Sequence, residues 1–399
     1  MKKIITFLLL VIIIGTTSWV NAQNVYIPDP MFKTILLGNT QINTNGDNEI
    51  QLSEAQAYTG AIYCYNTGIT DLTGIEAFPN IIMLNCGNNQ LTSLDVTNNT
   101  ALKRLHCGIN QLTVLDLSNN TVLEELYCYN NLFTSLDVSN NTALEVLSCF
   151  GNMFTALDVN NNTALRILGC NYNQLTALDV SNNTVLEELY CYNNLLASLD
   201  VSNNSDLEIL SCFYNQLTVL DVDNNTALTG LWCDSNNLTA LSINNLTNLI
   251  YLNCSDNQLV SLNVQNGNNI NFLDFNASGN PDLLCIQVDD VTWSTENWTS
   301  ISTASSFSED CDDLLILNDL VLNTDISIYP NPFSEVVTIT SGESVIQKVK
   351  IYDAKGALLY QNNTDSVEVN LILSNFNKGV YFIKVLSGQK EIMHKIIKK

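Results

Sequence analysis

Through the middle of the chain the apolar positions recur with a period of 21 residues. Ten cysteines mark the beat: Cys64, Cys86, Cys107, Cys128, Cys149, Cys170, Cys191, Cys212, Cys233 and Cys254, separated by 21 residues after a first gap of 22. From Cys86 onward a leucine stands two residues before each cysteine and an asparagine three after. The unit reads L-x-x-L-x-C-x-x-N-x-L and continues L-T-x-L-D-V-S-x-N-T. A fixed period of this length predicts a solenoid. Leu-x-Cys alternates with period two, so both side chains point inward from one short strand. The asparagine falls where the chain leaves that strand. Its amide is suited to satisfying the backbone of a buried turn, and stacked copies to forming a ladder. In the rest of the coil Leu115 and Leu117 point inward and Asp116 outward. No long helix fits in 21 residues. Each coil is therefore expected to be strand, turn, short extended segment and turn, with neighbouring coils supplying the core. Phe275 is read as filling the cysteine position of the last coil.

The array is expected over residues 63–280, which makes the chain mainly β. Residues 118–132, SNNTVLEELYCYNNL, recur letter for letter at 181–195, three coils on, as a block duplication would leave them. A 21-residue repeat with cysteine in the strand resembles the internalin-J type of bacterial leucine-rich repeat.

Ten cysteines suggest disulfides, but the geometry opposes them. Stacked positions in parallel strands lie ~4.8 Å apart, whereas a relaxed disulfide brings Cβ atoms to ~3.8 Å. The ten are read as buried thiols acting as small apolar residues. No C-x-x-C pair offers a metal set. Cys285 and Cys311 lie off the grid and bracket Trp293 and Trp298. They are expected to staple a C-terminal cap, residues 281–313, over the open end of the solenoid.

Before the array, residues 1–22 read as a signal peptide. Lys2 and Lys3 precede an apolar run from Ile4 to Ile14, too short to span a bilayer, and a small residue, Ala22, ends the segment. Residues 23–62 form an N-terminal cap. Asp29-Pro30 suits a helix start and Gly38 its end. The stretch Asn43 to Glu54 resembles a twelve-residue EF-hand loop, with Asn43, Asn45 and Asp47 at positions 1, 3 and 5 and Glu54 at 12. Glu49 is a further candidate ligand. Asn at position 1 and Asn48 in place of the turn glycine depart from the pattern. Calcium is the one candidate cofactor; the alternative is a helical cap that needs no ion.

After a linker, residues 314–325, the character changes. Ile328-Tyr329-Pro330-Asn331-Pro332-Phe333 opens a series of alternating segments, Val336 to Thr340, Val345 to Asp353 and Val367 to Leu373. Asp353-Ala354-Lys355-Gly356 is a hairpin signal, and the chain closes on Gly379-Val380-Tyr381-Phe382-Ile383-Lys384 and a basic tail. A small β-sandwich is expected over 326–399. This stretch resembles the type A C-terminal sorting domain of the type IX (Por) secretion system. The resemblance implies passage across the outer membrane of a Gram-negative bacterium, removal of the domain by a sorting peptidase, and release or attachment of the cargo at the cell surface.

Charge separates the two parts. Residues 23–325 hold 34 acids and four basic residues, whereas 326–399 hold six acids and nine lysines. So acidic a surface repels nucleic acid and anionic lipid.

Catalytic material is scarce. Of the two histidines, His394 lies in the tail and His106 has no evident nucleophile partner. The pairs Glu124/Glu125 and Glu187/Glu188 recur with the duplication and read as solvated edges, so the chain is not read as an enzyme. Binding finds more. Residues flanking the cysteines face out of the concave sheet, among them Tyr127, Tyr129, Phe150, Tyr190, Tyr192, Phe213 and Trp232, with Tyr172 and Tyr214 one position later. Tyrosine and tryptophan favour contact surfaces, although aromatics also simply suit strands. These nine are the candidate ligand-binding residues, for an extracellular protein or glycan. A structural adhesin and a polysaccharide-active enzyme are the alternatives. The aspartate ladder from Asp95 to Asp221 reads as turn caps rather than cation ligands.

Overall fold

The computed structural model describes residues 23–311, 326–342, 344–353, 357–387 and 390–399. The signal peptide (1–22), the linker (314–325) and most of the Asp353–Gly356 hairpin lie outside the described residues. The chain forms two compact units that meet in sequence between Glu309 and Asp310.

The first unit is built on an eleven-stranded, all-parallel sheet running from Ala61–Tyr63 to Asp274–Asn276. Each strand is three residues long with its central leucine or equivalent buried, as in Glu125–Tyr127, where Leu126 is inside. Leu105, Leu126 and Leu147 pair directly across neighbouring strands, so identical side chains stack coil upon coil. The cysteine ladder lies one residue beyond each strand, fully buried and unpaired from Cys64 to Cys254. Leu115 and Leu117 are inside and Asp116 is exposed, as the alternation predicts. On the opposite side of the coils a second parallel sheet appears late, from Ala240–Ser242 to Ser306–Ser308.

The asparagine ladder closes each turn. Asn110 donates to the carbonyls of Cys86 and Cys107, both at 3.1 Å, and accepts from the Leu91 amide at 3.0 Å. A second asparagine column, from Asn99 to Asn225, is also fully buried. Asn120 donates to the carbonyls of Val96 and Asn99 in the coil before it, at 3.0 and 2.9 Å. These amides supply the donors that irregular backbone in the core would otherwise lack.

The N-terminal cap is a helix, Pro30–Gly38, with proline at its first position. Asp29 caps it, accepting from Met31 and Phe32 at 2.9 and 3.0 Å, and its other oxygen accepts from Thr70 in the first coil at 3.0 Å. Phe32 and Leu36 then join the solenoid core. At the other end, Cys285 and Cys311 form the expected disulfide.

One expectation is corrected. Phe275 pairs with Leu252, so it occupies the central strand position and Ala277 the cysteine position. The coil before it is two residues longer than the grid and includes a 3-10 turn at Asn269–Asn271. That insertion shifts the register, and the Phe275 ring stacks on Trp298 of the cap at 4.0 Å.

The second unit holds two antiparallel sheets around one apolar cluster. Ser327–Tyr329, Val336–Thr340 and Glu368–Ile372 form one; Leu358–Ser366, Ile346–Asp353, Gly379–Ser387 and Lys390–Lys398 form the other. Phe333, Val337, Ile351 and Ile383 lie between them. Among the described residues no helix is long and apolar enough to cross a membrane.

Candidate binding face of the parallel sheet

Because each strand turns its leucine and the following cysteine inward, the residues beside them form columns on the outer face of the sheet. The nine aromatic candidates all stand there. His106 lies against Tyr127 at 4.2 Å between ring centroids. Tyr129 and Phe150 stack at 4.6 Å with planes 4° apart, and Tyr192 and Phe213 at 4.2 Å and 11°. Tyr172 meets Tyr192 edge-on at 5.3 Å, and Tyr214 meets Phe213 in the same way at 5.7 Å. Trp232 stacks with Tyr251, an aromatic outside the nine. Two glycines make room for this row. A Cβ on Gly108 would stand 2.9 Å from the Tyr129 ring, and one on Gly230 would stand 2.4 Å from the Trp232 ring.

Seven of the nine are half-buried. Tyr172 and Tyr214 are different, at 54% and 57% exposed. They occupy the column two residues after the cysteine, where the backbone is left-handed in coil after coil. Asn66, Asn88, Asn130 and Asn193 suit that conformation, and Gly151 and Gly279 take it without cost. Ile109, Tyr172 and Tyr214 adopt it too, with φ of 55°, 52° and 49°. Bulky residues in this region are strained. Sequence periodicity carries no sign of φ, so Ile109 was not a candidate.

Acids border the row. The Tyr190 hydroxyl donates to Glu188 at 2.8 Å. Burial, with the Glu188 bond added, pushes that phenol up to about 12. Tyr127 relates to Glu125 in the same way, and its phenol is also raised, first by burial. Burial likewise raises the carboxyl of Asp234, whose Oδ1 has no hydrogen-bond partner. Burial lowers the pKa of His106.

The EF-hand-like loop is closed by its own donors. Glu54 Oε1 accepts from the Thr44 amide and hydroxyl and from the Asn45 amide, and Oε2 from the Gln51 amide. Asp47 accepts from Glu49, Asn45 and Gln51. Asn43 bonds to Asp47 and Gly46, and Glu49 is drawn away to Lys33 at 2.7 Å. Among the described residues no three His, Cys, Asp or Glu side chains converge as metal ligands. The aspartate ladder serves as turn caps: Asp116 accepts from Ser118 and Asp137 from Ser139, each at 2.9 Å.

The functional domain of InlJ from Listeria monocytogenes, described as including a cysteine ladder, aligns at 23% identity with a TM-score of 0.54, covering 95% of this chain and all of that one. The fold is that of a leucine-rich-repeat solenoid. An internalin, InlF, from the same organism aligns at 22% identity over 69% of this chain and 95% of its own, with a TM-score of 0.46. A leucine-rich-repeat protein of Leptospira interrogans aligns at 22% identity over 62% of this chain and 66% of its own, with a TM-score of 0.47. Residues 327–399 match the family model for the secretion system C-terminal sorting domain. The solenoid thus precedes a type IX sorting domain. None of the curated proteins matches the sequence.

Proposed function

We propose that the chain is an exported leucine-rich-repeat binding protein, delivered by the type IX machinery and recognising an extracellular partner through the aromatic outer face of its parallel sheet. The observation that carries this reading is the placement of Tyr172 and Tyr214. Both are exposed, and both sit in a left-handed column where asparagine and glycine serve the fold better. Strain met only by an edge-on ring contact on the surface points to function. The ring stacks refine the partner. Tyr129 faces Phe150 and Tyr192 faces Phe213, so the rims of these rings are turned outward more than their faces. Sugar stacking needs free ring faces; the arrangement favours side chains of a protein. Release into the medium or attachment at the cell surface follows processing of the sorting domain.

The test replaces Tyr127, Tyr129, Tyr190 and Tyr192 with alanine. The core is untouched, so the protein should stay folded, while binding to the partner captured by the wild type falls sharply. A folded variant with undiminished affinity would remove the face from consideration.

A further inference from the structure

The duplicated block supplies an internal comparison. Its two copies are identical in sequence but have different neighbours. In the first copy, Glu125 and Tyr127 pair across the strand with Arg104 and His106. Arg104 Nε donates to Glu125 at 3.0 Å, and the His106 ring lies 4.2 Å from Tyr127. In the second copy, Glu188 and Tyr190 pair with Ile167 and Gly169 instead. On the far side the copies agree in kind: Val146 and Ser148 flank the first, Ile209 and Ser211 the second. The difference is therefore confined to one side, where a cation and a ring have been replaced by an isoleucine and a glycine.

Three features of the second copy follow. Glu188 stands between two isoleucines in its own column, with the Tyr190 hydroxyl as its side-chain partner. Arg166 is close enough to act on Glu188 electrostatically, but its guanidinium is committed to Glu187 by bonds of 2.9 and 2.7 Å. Gly169 carries no side chain, and a Cβ built on it would make only ordinary contacts with Ser148 and Asn171 from 3.7 Å, so no ring stands beside Tyr190 where His106 stands beside Tyr127.

We propose that Gly169, Glu188 and Tyr190 form a socket for an arginine side chain of the protein partner. The inference rests on the reading of this face as a protein-binding surface. The guanidinium takes the role that Arg104 plays toward Glu125, and its plane lies along the Tyr190 ring above Gly169. Arginine suits the place better than lysine, since a planar cation pairs with a carboxylate and packs on a ring at once. The acid excess of residues 23–325 draws such partners in.

The experiment measures binding of a nine-residue oligo-arginine peptide to the full exported protein by fluorescence anisotropy, at about 0.15 M salt to suppress long-range attraction. Glu188→Gln should weaken binding about fivefold, the loss expected for one cation–π and carboxylate contact. Ile167→Arg, which gives the protein its own guanidinium at the position that Arg104 holds in the first copy, should give a similar loss. Gly169→His, which rebuilds the His106 cover, is the second blocking variant should Ile167→Arg fail to fold. Glu208→Gln removes the same charge from an exposed position in the next coil, outside the socket, and should change affinity less than about twofold. An oligo-lysine peptide should bind more weakly than oligo-arginine. Equal losses for Glu188→Gln and Glu208→Gln, or undiminished binding in the folded blocking variants, would overturn the socket. If the socket fails while the four-tyrosine variant still loses its partner, the binding-face reading stands.

Discussion

Asn131 reaches back one full coil to Cys107. Its Nδ2 donates to the Cys107 carbonyl and to that of Cys128 in its own coil, both at 3.1 Å, while its Oδ1 accepts from the Leu112 amide at 3.0 Å. One side chain thus satisfies backbone in successive coils, which is how coils with no long helix keep their turns inside. Asn131→Ala strands these groups in a buried site. Each unsatisfied group costs about 1–3 kcal/mol, so the variant should lose about 3 kcal/mol in denaturant unfolding. A loss under about 0.5 kcal/mol, the ordinary surface range, would show that water replaces the amide.

The cysteine ladder makes a chemical prediction. Burial pushes the thiols of Cys107, Cys170, Cys212 and Cys254 from 9.0 up to about 12. The ten ladder thiols should therefore resist alkylation in the native protein and react together once it is unfolded, with Cys285 and Cys311 protected until reduction. The linkage has a definite sign. Between pH 9 and about 12 unfolded thiols lose their protons and folded ones keep them, so the unfolded state binds fewer protons. Stability is full below pH 9 and falls as pH rises through this window. A denaturation midpoint that stays level well into it would contradict the assignment.

The loop Asn43 to Glu54 already receives N–H donors at every oxygen of Asp47 and Glu54. Calcium would have to displace them. The melting temperature is expected to be unchanged by millimolar calcium. A rise that Asp47→Ala abolishes would show instead that the loop exchanges its hydrogen bonds for the ion.

The sorting domain should be separable from the cargo in its effect. Deleting residues 326–399 is expected to leave the solenoid folded but retained in the periplasm, as fractionation and melting of the retained protein would show. Undiminished appearance outside the cell would contradict export through this domain.

Much of the fold was legible because it follows from periodicity. The inward Leu126 and Cys128, the turn asparagine Asn131 and the helix start at Asp29 each rest on spacing or on one local rule, and each stands where expected. The register of Phe275 was missed because two extra residues in the preceding coil carry no mark in a 21-residue grid. The column from Asn99 to Asn225 was missed because S-x-N-T looks like an exposed polar turn, although its second amide is fully buried. The outer face was visible as a list of aromatics. Its strain was not, because a positive φ at Tyr172 belongs to the backbone path and leaves no trace in residue type.

The central claim is that the exposed tyrosines of the left-handed column serve a partner rather than the fold. The direct measurement is a melting curve and a binding isotherm on Tyr172→Asn/Tyr214→Asn, using the partner captured by the wild-type protein. Asparagine relieves left-handed strain of about 1 kcal/mol at each site, which offsets the lost edge-on ring contacts of about 0.5–1.5 kcal/mol. Stability should therefore barely change, while affinity falls by at least tenfold, about 1.4 kcal/mol. A variant that melts far earlier would make these tyrosines structural, and one that melts normally and binds as tightly as the wild type would contradict the account.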